Sequence, residues 1–331
     1  MVREDGAFVA EQPGFYTVSV IAGTKTASQS IKVIARNVQR DIEVVGRGML
    51  TDKHTTDFWL WEGPDSRDYA VTGTFSANGM AYFWDITDPA NIVRIDSLQV
   101  DARNVNDVKI SEDGRICIIS REGASNRKNG IVILDVSNPR SVEVLGEYHE
   151  QLTGGVHNLF IYDNHVYALS NGQHYEIINI EDPSNPVRVG RFEIDNPARA
   201  IHDVWVEDGI AYSSNWNDGV IMVDVGNGVA GGSPSNPVEI SRSKVMGDAN
   251  HTTFPFRSES AGRFYVVAGD EIFPLEWFSK GLTETLEPRG YVHIIDWTDK
   301  ENPVEVASYK VPEAGAHNYW VEDETLYIGY Y

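Results

Sequence analysis

The chain has 331 residues, 41% of them hydrophobic and 11% aromatic, enough for one large all-β domain or two ordinary ones, with a sizeable core. Its 27 Lys and Arg stand against 49 Asp and Glu, a formal charge of −22. That balance argues against a phosphate backbone as partner, because nucleic-acid binders present a basic stripe, and it disfavours adhesion to an anionic membrane. No apolar stretch reaches the ~18 residues that span a bilayer, so membrane insertion is not expected.

In chain order, residues 1–36 come first and stand apart. Gly6-Ala-Phe-Val-Ala-Glu-Gln-Pro-Gly-Phe-Tyr-Thr-Val-Ser-Val20, a turn at Gly23, and Ala27–Ile34 predict two or three strands. Three strands cannot enclose a core. The Pro-Gly-Phe-Tyr turn leading into a hairpin resembles the last strands of a bacterial immunoglobulin-like domain. Residues 1–36 are therefore expected to be a partial module of that kind, with residues 37–331 as a separate domain. The N-terminus itself, Met1-Val-Arg-Glu-Asp-Gly, lacks the apolar core of a signal peptide.

From there the chain repeats. Five segments share one form: Asp85-Ile-Thr-Asp-Pro, Asp135-Val-Ser-Asn-Pro, Asn179-Ile-Glu-Asp-Pro-Ser-Asn-Pro, Asp224-Val-Gly with a Gly-rich insertion before Pro234-Ser-Asn-Pro, and Asp296-Trp-Thr-Asp-Lys-Glu-Asn-Pro. An apolar run precedes each and an alternating strand follows. Asp and Asn accept local backbone hydrogen bonds, and Pro donates nothing to a ladder, so each motif reads strand–turn–strand. Upstream lies a second strand pair around Glu112-Asp-Gly114, Asp163-Asn164, Glu207-Asp-Gly209 or Glu322-Asp-Glu324, each a hairpin signal. Four short strands every ~45–52 residues mark a β-propeller blade. The expected fold is all-β: five four-stranded blades plus half of a sixth, cut at both ends. Asp41–Gly46 is placed to complete the last blade, and an exposed edge is expected beside residues 325–331. A helical period shows only at Pro274–Gly281.

These repeats, read through Gly219-Val-Ile-Met-Val-Asp-Val225 and its Pro-Ser-Asn-Pro turn, resemble the LVIVD-repeat propellers of bacteria and archaea. The resemblance covers roughly residues 41–331 and implies a fold rather than an activity.

The blade-initial strands carry a second pattern: His157-Asn158, His202-Asp203, His251-Thr252 and His317-Asn318, with His54-Thr55 and Asn106-Asp107 as relatives. In propellers the first strand lines the central channel, so these positions converge on the axis. His54, His157, His202, His251 and His317 could then ligate a transition metal such as copper, zinc or iron. The His-ringed copper-dependent methanethiol oxidases are similar in architecture only. The opposing reading has each imidazole pin one blade to the next through a backbone carbonyl. Loops on the same face place Arg121, Glu122, Arg127, Asn215, Trp216, Asp218, Asp270 and Glu271 around the channel mouth as candidate ligand contacts. Trp205, Tyr212, Trp320 and Tyr327 read as blade-to-blade packing. The single cysteine, Cys117, allows no internal disulfide, so cysteine usage leaves the compartment open, and the residue reads as a small buried hydrophobe. No hydrolase, zincin or phosphate-loop motif is present.

The expected function is a secreted or cell-surface binding module, with the periplasm as the other compartment. Its partner would be a protein, a glycan or a small molecule at the channel mouth. The alternative is a metal-dependent oxidoreductase or hydrolase with its site among the channel histidines.

Overall fold

A computed structural model describes residues 8, 13–34, 43–170, 172, 174–195, 200–244, 249–271, 290–311 and 314–330. Pro274–Gly281, where the sequence shows a helical period, lies outside the described residues. Among the described residues every regular element is a strand.

The N-terminal hairpin pairs β1 (Gly14–Ala22) with β2 (Lys25–Val33) as a sheet of its own. Five four-stranded antiparallel sheets follow. The first holds β3 (His54–Glu62), β4 (Asp68–Phe75), β5 (Met80–Asp85) and β6 (Val93–Gln99). The second holds β7 (Val108–Ile110), β8 (Ile116–Arg121), β9 (Gly130–Asp135) and β10 (Glu143–Tyr148). The third holds β11 (Leu159–Tyr162), β12 (His165–Ser170), β13 (His174–Asn179) and β14 (Val187–Glu193). The fourth holds β15 (Asp203–Glu207), β16 (Ile210–Asn215), β17 (Gly219–Asp224) and β18 (Val238–Ser243). The fifth holds β19 (Asn250–Ser258), β20 (Arg263–Asp270), β21 (Tyr291–Asp296) and β22 (Val304–Lys310). A sixth sheet has two strands, β23 (Ala316–Glu322) and β24 (Thr325–Tyr330). In each blade the strands pair in chain order, here called A, B, C and D from the axis outward.

The turn chemistry explains why the chain folds back where it does. Between A and B, Asp163-Asn164 and Asp323-Glu324 hold both central residues at positive φ, and so do Asp208 and Gly209. These are the mirror-image turns whose twist matches the flanking strands. Between C and D the repeated acid or amide caps the turn. Asp85, Asp135, Asn179, Asp224 and Asp296 each accept the backbone N–H two residues on, at 3.2, 2.8, 3.0, 3.0 and 3.1 Å. The motif is thus a repeated Asx turn.

Each D strand carries a bulge opposite its C strand, between Ile177 and Ile178 in the third blade for example. In the second and third blades the glycine just after the bulge lies against the C–D turn of the next blade. A Cβ at Gly146 would lie 2.2 Å from the Pro183 carbonyl oxygen, and one at Gly190 would lie 2.0 Å from that of Pro234. Only glycine permits so close a backbone approach. The core consists of apolar clusters between successive blades, one of them joining Val71, Phe83, Val108, Cys117, Ile119 and Leu134. Cys117 is fully buried, as expected of a small hydrophobe.

Candidate functional site

Six A strands surround the axis and set three tiers of side chains. The cross-strand pairs Trp59–Val71, Lys109–Ile118, Phe160–Tyr167, Trp205–Tyr212, Phe254–Val267 and Trp320–Tyr327 define the lowest tier. Its rings close on one another: Trp205 lies 4.7 Å from Phe160 and 4.6 Å from Phe254, and Trp59 lies 5.8 Å from Trp320. Trp59 also reaches Trp205 at 6.0 Å, from the first blade to the fourth. The channel is therefore plugged by aromatics at this level. Trp205 and Trp320, expected to pack between blades, belong to the plug.

Two residues earlier on each A strand comes a polar tier: Asp57, Asp107, Asn158, Asp203, Thr252 and Asn318. Lys109 Nζ reaches up from the plug to Asp57 at 2.7 Å and also bonds Asp107, while lying 5.1 Å over the Trp59 ring. Burial lifts the Asp107 carboxyl well above its ordinary value, against the pull of Lys109 and aided by Asp57. Burial likewise lifts Asp203 to about 6 despite Lys109. Lys109 itself is raised: burial opposes its charge, but the attraction of Asp107 and Asp57 outweighs that. A single ammonium thus sits among three acids on the axis, an arrangement invisible as a motif because the four residues come from three blades.

One residue further out lies the upper tier: Thr56, Asn106, His157, His202, His251 and His317. The rings step around the axis, 5.2 Å from His157 to His202, 4.0 Å from His202 to His251 and 4.4 Å from His251 to His317. His54 is not among them. Its blade contributes Thr56, which donates to the Val105 carbonyl at 2.6 Å, and His54 is exposed at the start of β3. The irregular register between Thr55 and Phe58 moves the tier position two residues along the chain.

Blade pinning and convergence both occur in this tier. His202 Nδ1 donates to the His251 carbonyl at 3.0 Å, as Asn106 Nδ2 does to the His157 carbonyl at 2.9 Å and Asn158 Nδ2 to the His202 carbonyl at 3.1 Å. Yet donor atoms of the tier also come together. Glu271 bridges His251 Nε2 and His317 Nε2, both at 3.2 Å. His202, His251 and Glu271 each offer a donor atom within 4.8 Å of the others. Burial drives the His202 imidazolium down to about 3, with the neighbouring His157 adding to it. Burial, then His202 and His317, put His251 well below its ordinary value. Both are neutral bases at pH 7.

Beside these rings opens a cavity of about 440 Å³, within the size range of small-ligand sites. Arg103, Glu122, His157, His202 and Trp216 line it, together with Gly123, Gly154, Gly155 and Gly172. Glu122 accepts from His157 Nδ1 at 2.8 Å and from Asn104 at 3.0 Å. Burial works to raise the Glu122 carboxyl, but these bonds hold it below its ordinary value. Trp216 stands 4.9 Å from His202 with φ +21, a sparsely populated backbone for a bulky residue and a feature that clusters at functional sites.

Of the other mouth residues expected from sequence, Glu271 joins the histidines, and five go elsewhere. Arg121 is 2% exposed and turns into the blade to meet Glu147 at 3.0 Å. Asn215 is fully buried and donates to the Ser213 and Gly219 carbonyls, holding the β16–β17 turn. Asp270 is buried against His293 Nε2 at 3.1 Å, and Asp218 is buried at that same turn. Arg127 lies on the exposed loop after β8, outside the cavity lining. Sequence reasoning missed Arg103, Asp57 and Lys109. The dipeptide Asn106-Asp107 did mark the right register for the second blade, and a two-residue step from it leads to Lys109.

With this geometry in place, comparison with known proteins fixes the architecture. The LVIVD repeat model matches residues 125–150 and 198–244. The chain carries LVIVD repeats. No curated protein matches the sequence. Solved structures of similar fold include a protein from Lactobacillus plantarum at 12% identity, TM-score 0.59, spanning 78% of this chain and 74% of that one. A candidate 6-phosphogluconolactonase from Bacteroides fragilis is similar at 11% identity and TM-score 0.57, over 81% of this chain and 75% of that one. One from Bacteroides uniformis is similar at 10% and 0.59, over 81% and 76%. Such identities carry the fold and no activity.

Proposed function

We propose that this LVIVD-repeat propeller is a binding module, working outside the cytoplasm, whose ligand is a small polar molecule or the end of a glycan held at the channel mouth. The cavity between the second, third and fourth blades carries the reading. It combines a cation (Arg103), a carboxylate kept ionised (Glu122), two imidazoles and an indole face around one concave space. Few convergent polar groups beside an aromatic wall suit a hydroxyl-rich ligand. The four glycines of its lining let a ligand approach the backbone closely. An extracellular setting rests on the resemblance of the Pro13-Gly-Phe-Tyr16 turn and its hairpin to the end of a bacterial immunoglobulin-like domain.

Calorimetric titration of the protein with glucose, galactose, mannose, gluconate and glucuronate tests the proposal. At least one should bind, and binding should fall at least tenfold in His157→Ala and in Trp216→Ala while surviving in Arg127→Ala, whose side chain is outside the cavity. Failure of all five to bind, or equal binding by the His157 and Trp216 variants, would overturn it.

A metal-dependent reading is favoured by one observation, the donor set His202, His251 and Glu271. Donors of a single tetrahedral site lie roughly 3–4 Å apart, so the set would contract slightly around an ion. Stoichiometric zinc, copper or iron in untagged protein, lost in His251→Ala, would establish it. Metal-free protein that still binds sugar would dismiss it.

A further inference from the structure

The sixth blade contains a slot for one strand. Its A and B strands, β23 and β24, pair with each other, and β24 pairs with no further strand among the described residues. The segment Glu43–Gly48 sits at the other side of the slot. A Cβ at Gly46 would lie 1.9 Å from the Pro89 carbonyl oxygen. This is the same approach that the D-strand glycines Gly146 and Gly190, each just after a bulge, make to Pro183 and Pro234. Glu43-Val-Val-Gly-Arg47 also reads like Arg188-Val-Gly-Arg191 and Glu143-Val-Leu-Gly-Glu147. Glu43–Gly48 therefore holds the D-strand station of a blade that precedes the first one. It joins no ladder among the described residues, because a D strand pairs only with C.

Exposure marks the same slot from its sides. Phe58 and Leu60 of β3 are 59% and 55% exposed, whereas Val108 and Ile110, their counterparts in the second blade, are 0% and 4%. In the fourth blade the counterparts Val204 and Val206 are 1% and 2% exposed. Tyr327 is 56% exposed, against 3% for Tyr212, 1% for Tyr167 and 0% for Val71 at the same register. Val44, Val45 and Met49 add to the open surface, each above half exposed. Contiguous apolar surface of this kind beside a free sheet edge is a site for strand addition.

We infer that this slot binds an extended segment of the C-strand type, an apolar run closed by Asp or Asn, in antiparallel register with β24. The five C strands present define the chemistry. Tyr82-Phe-Trp-Asp85, Val132-Ile-Leu-Asp135, Glu176-Ile-Ile-Asn179, Ile221-Met-Val-Asp224 and His293-Ile-Ile-Asp296 each end on the acid or amide that starts the C–D turn. Opposite Val71, Ile118, Tyr167, Tyr212 and Val267 they set Phe83, Ile133, Ile177, Met222 and Ile294. The occupant accordingly places a large apolar residue against Tyr327.

The test uses a synthetic peptide, Asn217–Val225 of this chain, added to the whole protein and followed by amide hydrogen exchange. Protection of amides in 325–330 and 43–48, with a rise in melting temperature, supports the inference. The same peptide with Pro in place of Met222 cannot complete the ladder and should give no protection. Equal effects from both peptides would show apolar adhesion and overturn the strand assignment, as would binding without protection at 325–330. Concentration-dependent protection of those amides in peptide-free protein would make a second copy of the chain the occupant and overturn it too.

Discussion

Asp203 shows how much one residue's environment departs from its sequence context. It follows a histidine in a repeated dipeptide, and it lies on the axis among Asp57, Asp107 and Lys109. Its carboxyl, ordinarily near 3.8, is lifted to about 6 by burial. The native state therefore holds a proton there that the unfolded chain has released. That contribution is present in full below the unfolded value and is lost as pH rises through about 6. Asp203→Asn keeps an oxygen for the Val204 N–H, which Asp203 accepts at 2.8 Å, and has nothing to ionise. Thermal melts at pH 4 and pH 7.5 should show the variant gaining on the wild type as pH rises. A gap of ~2–4 °C corresponds to about 1 kcal/mol in a large domain. A difference that is constant with pH would mean Asp203 titrates normally. The residue scale is where the sequence is least legible. His157, His202, His251 and His317 align by their dipeptides, but the irregular start of β3 displaces His54, and only three-dimensional register shows that Thr56 replaces it. Arg121 and Asn215 sit at strand ends, where parity decides between mouth and blade interior, and a one-residue step reverses the answer.

At the scale of elements the sequence is far more legible, because the repeated turn is a local device. An Asx cap and a proline act within a few residues, so the strand–turn–strand units follow from composition and order. The contact between a D-strand bulge and the next blade's turn is not local, and the motif does not announce it. It does make a sharp prediction. Gly190→Ala drives a methyl into the Pro234 carbonyl, 2.0 Å away, and must shift either strand β14 or the turn. A cost of ~1–3 kcal/mol is expected, in line with other forced overpacking. Urea unfolding should report it as a lower midpoint at unchanged slope. Gly329→Ala is the control, since its nearest neighbour, the Asn318 carbonyl oxygen, is an ordinary 3.7 Å away and a β-carbon in a strand is favourable. Equal losses from both substitutions would show that glycine flexibility, not the inter-blade contact, sets the cost.

The whole molecule is governed by two opposed electrostatic arrangements. Buried and half-buried pairs favour the fold: Glu176 is fully buried between Arg188 and Arg191, and Asp85 receives Arg67 and Arg140, both at 2.6 Å. The formal charge of −22 opposes it, because the surplus carboxylates repel one another across a compact surface. Salt separates the two. At 0.01 M the screening length is ~30 Å, comparable to the domain, whereas at 0.15 M it is ~8 Å, and close or buried pairs are screened much less than surface charges. Raising NaCl from 0.01 to 0.15 M should therefore relieve more repulsion than it weakens attraction, and the melting temperature should rise by a few degrees. The charge imbalance was plain from composition, but its sign of action was not, since it depends on which pairs the blades bury. A melting temperature that falls with salt would mean that surface ion pairs, rather than like-charge repulsion, dominate the long-range field. Sodium sulfate at matched ionic strength is a poor substitute in this test, because it also strengthens apolar burial and would raise the midpoint for a different reason.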